Sequence, residues 1–205
     1  MGKSKDIPWM FPKERDILLE IFENFQPKKC LEWGSGFSTF HFPLQLNDLQ
    51  LWMSIEHDER WFKLMKSKKL ANNVEIKHIP LPSSNFVESK KNQYVDYPQG
   101  VFDLIFIDGK LRDKCMEKSL NLLSDKSLVI LHDANRKHYH ESMKLYKYQV
   151  LLSDHRNAYG GIWLGSNSIA IEKVFDVEYF KKIWKKHLFF TKLFRPNLWG
   201  KSFLQ

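Results

Sequence analysis

The sequence has little cysteine and no long apolar run. Its two cysteines, Cys30 and Cys115, fall inside a predicted strand and a predicted helix, so we interpret them as small buried hydrophobic residues and not as a disulfide. No stretch of about 18 apolar residues is present, which argues against a membrane-spanning helix. The first residues also lack the apolar segment of a signal peptide. From these absences we expect a cytoplasmic protein.

Acidic residues are missing from one segment, 179–205. Seven of the 32 lysine and arginine residues fall there, which leaves 25 basic against 24 acidic residues in 1–178. The net charge of +8 therefore belongs to a tail, and a nucleic-acid partner is not expected for the nearly neutral remainder. We divide the chain into a domain, 1–178, and a basic C-terminal extension, 179–205.

The extension has the pattern of an amphipathic helix. Phe180, Ile183 and Trp184 are spaced to share one face, and lysines occupy most of the other. Three interpretations remain open for the apolar face: packing on the domain itself, contact with a second subunit of a homo-oligomer, or peripheral contact with an anionic membrane.

Short apolar segments alternate with amphipathic ones along the domain. This order is typical of a parallel sheet that is buried on both faces by helices. The sequence predicts a doubly wound, mostly parallel, seven-stranded α/β sheet with a C-terminal helical extension. The predicted helices are 12–25, 37–46, 57–70, 112–123 and 138–148; the predicted strands are 29–33, 51–55, 74–79, 101–107 and 128–131, with closing strands at 149–153, 161–165 and 168–171, and a loop at 83–100.

Polar signatures follow the first two predicted strands. Ligands of such sheets bind beyond the carboxyl ends of the strands. After the first strand stands Glu32-Trp33-Gly34-Ser35-Gly36, and Thr39 occupies the position of the third glycine in a dinucleotide fingerprint. An acid just before the glycines suits a ligand that carries an ammonium group. Glu56 ends the second strand, where a carboxylate can accept hydrogen bonds from a ribose diol.

Together, Glu32–Ser38, Glu56, Phe102–Gly109 and Leu128–Asp133 resemble the ordered motifs of class I S-adenosylmethionine-dependent methyltransferases, in particular the O-methyltransferase-like branch. The resemblance covers about residues 14–172. It implies a Rossmann-like methyltransferase fold and S-adenosylmethionine as cofactor. It also implies that Glu32 and the loop hold the methionine end, that Glu56 holds the ribose and that His57 flanks the adenine. The implied cofactor-binding set is Glu32, Gly34, Ser35, Gly36, Ser38, Glu56, His57 and Asp108, with Ser83 or Ser84 near the adenine edge.

The ends of the fourth and fifth strands are the candidate site of catalysis. Asp108 and Asp133 end neighbouring strands, with Lys110 and His132 beside them. We predict these four residues as catalytic; His132 is the first candidate for a general base, because an imidazole titrates near neutrality. Metal-dependent relatives bind a cation through two such aspartates and a following Asn, but this chain has Ala134 there. A divalent metal is therefore possible but not expected.

Basic and aromatic residues surround these aspartates. Arg112, Arg136 and Tyr139 are the predicted substrate-binding residues, and a buried ion-pair network is the alternative interpretation of the same charges. Trp9-Met10-Phe11 is a candidate lid. We expect a methyltransferase that acts on a hydroxyl of a small molecule or saccharide. The alternative is a catalytically inactive binding protein of the same fold that acts through its basic tail.

Overall fold

A computed structural model describes residues 7–81, 93–153 and 159–194, and of 190–194 it describes the backbone alone. Seven strands form one sheet in the order β3-β2-β1-β4-β5-β7-β6. The strands from β1 to β5 run parallel, and β7 lies antiparallel between β5 and β6. The predicted sheet is confirmed. The strands are β1 Lys29–Trp33, β2 Leu51–Glu56, β3 Val74–His78, β4 Phe102–Ile107, β5 Leu123–His132, β6 Tyr148–Leu152 and β7 Ile162–Ser166.

Helices cover both faces of this sheet, as expected when a parallel sheet is buried on both sides. One core layer packs α1 and α7 against it through Phe22, Phe180 and Trp184. The other packs α4, α5 and α6 through Tyr94, Met116 and Met143, and Cys115 lies in it as a free, buried thiol. The helices are α1 Pro12–Phe25, α2 Ser38–His41, α3 Glu59–Lys66, α4 Gln93–Asp96, α5 Arg112–Ser119, α6 His140–Met143 and α7 Val177–Phe194.

The predicted helices 57–70 and 112–123 are shorter in the structure, as α3 and α5, and α4 lies within the predicted loop 83–100. Three other predicted elements differ in kind. The helix predicted over 37–46 is α2 followed by a 3-10 turn at Pro43–Gln45, because proline has no amide to continue the α-helical ladder. The predicted helix 138–148 is a 3-10 turn and α6, after which β6 begins at Tyr148. The strand predicted at 168–171 is wrong. Ser166 Oγ accepts hydrogen bonds from the Ser168 and Ile169 amides, which turns the chain away from the sheet.

The C-terminal helix α7 packs on the domain through its apolar stripe. Phe180 and Trp184 are buried in the core layer of α1, and Trp184 Nε1 donates to the Ser153 carbonyl (2.6 Å). Packing on the domain is therefore confirmed for this part of the stripe, while Lys181, Lys182, Lys185 and Lys186 are exposed. Within the described part of the chain, no helix has both the length and the apolar character that a membrane crossing requires.

Candidate cofactor and acceptor site

The loop after β1 turns tightly at Gly34. Its φ is +96°, a backbone conformation that favours glycine, and its amide donates to the Ile55 carbonyl (2.8 Å). A Cβ on Gly34 would lie 2.6 Å from the Cα of Gly109 in the loop after β4. The two loops thus touch backbone to backbone, and glycine is needed for that contact.

Glu32 lies beneath this loop and is completely buried. Its carboxylate accepts hydrogen bonds from Ser38 Oγ (2.5 Å), Thr39 Oγ1 (2.7 Å) and Trp52 Nε1 (2.9 Å). Burial raises the pKa of Glu32 to about 7, although these hydrogen bonds act to lower it. The structure places Glu32 behind the loop, where it supports Ser38 and Thr39, and not on the wall of the cleft.

Glu56 ends β2 and faces the same loop from the other side. Its Oε2 accepts from the Ser35 amide (3.0 Å) and hydroxyl (3.1 Å), and its Oε1 accepts from the amides of His57 and Asp58 (both 2.8 Å). Burial raises the pKa of Glu56, but hydrogen bonds from His57, Asp58 and Ser35 outweigh it, so the net pKa is lowered. Glu56 is therefore a fixed carboxylate anion.

A cleft of about 640 Å³ opens between the loops after β1, β2 and β4. Its size lies within the range of small-ligand pockets, roughly 300–1,000 Å³. All of the predicted cofactor-binding residues in the described ranges line it except Glu32: Gly34, Ser35, Gly36, Ser38, Glu56, His57 and Asp108. Ser83 and Ser84 lie outside the described residues.

Aromatic rings form one wall of this cleft. Trp9, predicted as part of a lid, packs against Phe37 (5.7 Å between ring centroids) and Trp61 (5.6 Å), while 76% of it stays exposed. Trp61 is anchored because its Nε1 donates to the Ser35 carbonyl (2.6 Å). Trp61 was not predicted from the sequence; its local signal is its place in the first turn of α3, where its amide donates to Asp58 Oδ1.

Arg112 joins the ends of β4 and β5. Its guanidinium donates to the carbonyls of Gly109 (2.9 Å), Asp108 (2.9 Å) and His132 (2.5 Å). It also lies 3.0 Å from the Asp108 carboxylate and 3.6 Å from that of Asp133. Arg112 is 8% exposed and contacts the cleft with its edge. It therefore fixes the strand ends, in agreement with the buried ion-pair network that the sequence left open as the alternative, and its role in substrate binding stays a prediction.

His132 lies between two carboxylates. Nδ1 is 3.0 Å from Asp108 Oδ1, and Nε2 is 3.3 Å from Oε2 of Glu14 in α1. Burial lowers the pKa of His132, but the two carboxylates outweigh it and raise the pKa well above its ordinary value. A charged imidazole with both nitrogens so engaged is a poor general base near neutrality. The base role predicted for His132 is thus not supported, for this electrostatic reason.

Of the two aspartates predicted as catalytic, Asp108 is the one that lines the cleft. Burial raises its pKa, but His132 and Arg112 more than offset this, so the net pKa is lowered. Its side chain keeps 27% of its surface exposed. Lys110 lines the cleft beside it and is exposed. An anionic oxygen and an ammonium group thus face the ligand space on this side.

The remaining predicted residues form a separate group beside the cleft. Asp133 has a φ of +53° and accepts from the Gly160 amide (2.5 Å), and Arg136 lies 3.7 Å from its carboxylate. The Arg136 guanidinium sits over the rings of Tyr139 (5.9 Å) and Tyr159 (5.3 Å). None of Asp133, Arg136 and Tyr139 lines the cleft described above.

Asp108, His132 and Asp133 are close enough to be considered as metal ligands, since one atom from each lies within 4.8 Å of the others. Oxygen and nitrogen donors of this kind can bind divalent cations. Arg112, however, lies within 3.6 Å of both aspartates and supplies a positive charge between them. The donor set therefore fits a metal poorly.

No protein-family model matches the chain, and no curated protein matches it significantly. Solved structures do. A methyltransferase-like protein from Silicibacter pomeroyi has a TM-score of 0.53 at 16% identity, over 85% of this chain and 96% of that one. An O-methyltransferase from Bacillus cereus in complex with SAH (S-adenosylhomocysteine) scores 0.58 at 16% identity, over 78% and 83%.

A spermidine synthase from Thermotoga maritima also matches, with a TM-score of 0.53 at 14% identity, over 81% of this chain and 62% of that one. Likeness at such identities shows the fold alone. The chain has the Rossmann-like fold of class I methyltransferases, a fold in which SAH-binding members are known. Because the same fold also serves a spermidine synthase, it does not determine the group transferred or its acceptor.

Proposed function

We propose that the chain is an S-adenosylmethionine-dependent methyltransferase whose cofactor binds in the cleft between the loops after β1, β2 and β4. The observation that carries the proposal is the position of Glu56, a fixed anion that lines this cleft beside the glycine loop. A ribose diol would donate hydrogen bonds to this carboxylate in place of the Ser35 hydroxyl (3.1 Å), since the donors already present fill its lone pairs. Glu32 would act indirectly, by holding the loop through Ser38 and Thr39.

The proposed acceptor is a hydroxyl of a small molecule or saccharide. When bound, the cofactor supplies the methyl group. Asp108 is an anion on the cleft wall, so it would accept a hydrogen bond from the acceptor and orient it. Lys110 would attract an acceptor with negative charge. No metal is part of the proposal, because Arg112 provides the positive charge between Asp108 and Asp133.

A second candidate, a catalytically inactive binding protein of this fold that acts through its basic tail, is favoured by one observation. The pKa of His132 is raised and that of Asp108 is lowered, so neither is suited to remove a proton near neutrality. Both candidates bind S-adenosylmethionine or SAH. An acceptor screen with labelled cofactor distinguishes them. The methyltransferase should transfer labelled methyl groups to a hydroxyl compound, and the binding protein should not.

Calorimetric titration with SAH tests the shared part of both candidates. Glu56→Ala should weaken SAH binding by about 1–3 kcal/mol, since charge-assisted hydrogen bonds to the diol are lost. Glu59→Ala is the matched control, because Glu59 is an exposed acid at the start of α3 paired with Lys63. Folded wild-type protein that gives no heat with either cofactor form would disprove the proposal.

A further inference from the structure

A buried carboxylate of α1, Glu14, connects the N-terminal segment to the cleft. Its Oε2 accepts a hydrogen bond from the Phe11 amide (2.8 Å) and lies 3.3 Å from His132 Nε2. Glu14 is completely buried. The Phe11 amide and the His132 ring therefore meet at one carboxylate oxygen. His132 is 118 residues away from Glu14 in the chain.

The segment that ends at Phe11 forms part of the cleft wall. Pro8, Trp9 and Met10 line the cleft, and the Met10 amide donates to the Pro8 carbonyl (2.8 Å) in a tight turn. Trp9 packs on Phe37 and Trp61, so the segment spans from the glycine loop to Glu14. We call residues 8–11 the strap.

On its other side, Glu14 reaches Asp108 through one imidazole. His132 Nδ1 lies 3.0 Å from Asp108 Oδ1, and Asp108 lines the cleft. The complete path runs from the Phe11 amide to Glu14, then His132, then Asp108. Because the intervening groups are buried and polar, breaking any link leaves an unpaired group in a medium where that is costly.

We propose that Glu14 is a positioning residue of the cleft, which holds the strap and Asp108 in one fixed arrangement through His132. The path then sets the distance between the strap and Asp108 before a ligand binds, and both contact the same ligand. That the arrangement helps to bind the cofactor or acceptor rests on the proposed function. The hydrogen-bonded path from Phe11 to Asp108 does not depend on that function. A glutamate that served only to cap α1 would need no partner on β5.

Hydrogen exchange at the strap tests the path without any ligand. Asp108→Asn should speed exchange at the Phe11 amide about fivefold, because it replaces the charge-assisted hydrogen bond to His132 with a weaker neutral one and makes local opening easier by that order. Glu14→Gln should do the same. Asp16→Asn is the matched control, since Asp16 is a half-exposed acid of α1 that pairs with Lys13 (3.0 Å). Unchanged exchange at Phe11 in a folded Asp108→Asn protein would overturn the proposal, even if Glu14→Gln does not fold.

A double-mutant cycle on SAH affinity provides the second readout. If Glu14 acts through Asp108, the double variant Glu14→Gln/Asp108→Asn should lose no more affinity than the more affected single variant, because both changes break one path. Losses that multiply would show that Glu14 only stabilises α1, and they would contradict the proposal. Wild-type protein that does not bind SAH would refute the proposed function, while the exchange experiment would still decide the role of Glu14.

Discussion

The two halves of the site hold their acids by different means. At the end of β2, three backbone amides of its own loop and the neighbouring one donate to Glu56, and His57 Nδ1 lies 2.8 Å from the same carboxylate. At the end of β4, Asp108 is held by the side chains of Arg112 and His132. A backbone cradle keeps its shape when nearby side chains change. A network of buried charged side chains depends on every member. Substitutions at the ends of β4 and β5 should therefore lower the free energy of unfolding more than substitutions near Glu56.

The largest effect should therefore come from Arg112. Arg112→Ala should lower the free energy of unfolding by about 3–5 kcal/mol, because it leaves the Asp108 and Asp133 carboxylates without their buried partner. Urea denaturation measures this loss. Arg136→Ala is the comparison, since Arg136 is more exposed and its ion pair with Asp133 is longer (3.7 Å), and it should cost about 1 kcal/mol or less. Equal losses in the two variants would show that the buried Arg112 contributes no more to stability than the more exposed Arg136, contrary to this prediction.

Adding or removing a metal tests the part of the site at the ends of β4 and β5. A chelator should change neither the melting temperature nor SAH affinity of the wild type, since Arg112 already neutralises both aspartates. A protein that is stabilised by added Mg2+ would contradict this, because a ligand that binds only the native state raises its stability. In that case Asp108→Asn should abolish the stabilisation.

The next effect concerns pH and separates Glu32 from Glu56. The pKa of Glu32 is raised from 4.5 to about 7, so the native state binds the proton more tightly than the unfolded state does. The contribution of Glu32 to stability must then fall as pH rises between about 4.5 and 7, by about 2–3 kcal/mol, since a tenfold change in proton affinity corresponds to about 1.4 kcal/mol. The pKa of Glu56 is lowered, so its contribution is present above 4.5 and is lost as pH falls further.

Urea denaturation across this pH range checks the sign. In Glu32→Gln this contribution should disappear, and only the fall that the raised pKa of His132 causes above about 6.5 should remain. Glu23→Gln, which changes an exposed acid of α1, should keep the wild-type profile. A Glu32→Gln profile that runs parallel to the wild type would show that Glu32 keeps an ordinary pKa in the folded protein.

These contrasts also explain which parts of the site could be predicted. Gly34, Glu56 and the sheet follow from short-range patterns: a glycine pair after an apolar strand, and an acid at the end of the next one. The contact between Glu14 and His132 joins residues 118 positions apart, and no local pattern encodes it. The ion pairs of Arg112 were one of the two interpretations of the sequence. Its hydrogen bonds to backbone carbonyls could not be predicted from a local pattern.

The direction in which Glu32 points could not be predicted from its place in the sequence. An acid before the glycine loop can face the ligand or support the loop, and both arrangements fit the same spacing. The decision depends on Thr39 and Trp52, whose donors surround the carboxylate from behind. Trp52 lies on the neighbouring strand, so its approach is a property of the packed sheet.

The smallest effect should come from the outer face of α7. The buried face of this helix carries Phe180 and Trp184, whereas four lysines are exposed on the other: Lys181, Lys182, Lys185 and Lys186. Changing all four to glutamine should alter the free energy of unfolding by about 0.5 kcal/mol or less, because exposed side chains away from a packed contact contribute little. SAH affinity should also stay unchanged, since none of these lysines lines the cleft.

Vesicle co-sedimentation decides whether the same face has a partner. Phe189, 62% exposed, follows Lys185 and Lys186 by one helical turn, an arrangement that suits an anionic lipid surface. If the face binds lipid, wild-type protein should sediment with phosphatidylglycerol vesicles at low salt and the four-glutamine variant should not, because each lysine near the surface contributes about 1 kcal/mol. Glutamine at Lys114 and Lys118, which pair with acids, is the control. Wild-type protein that stays in solution at low salt would leave the lysine face as a solvated surface and α7 as a purely structural helix.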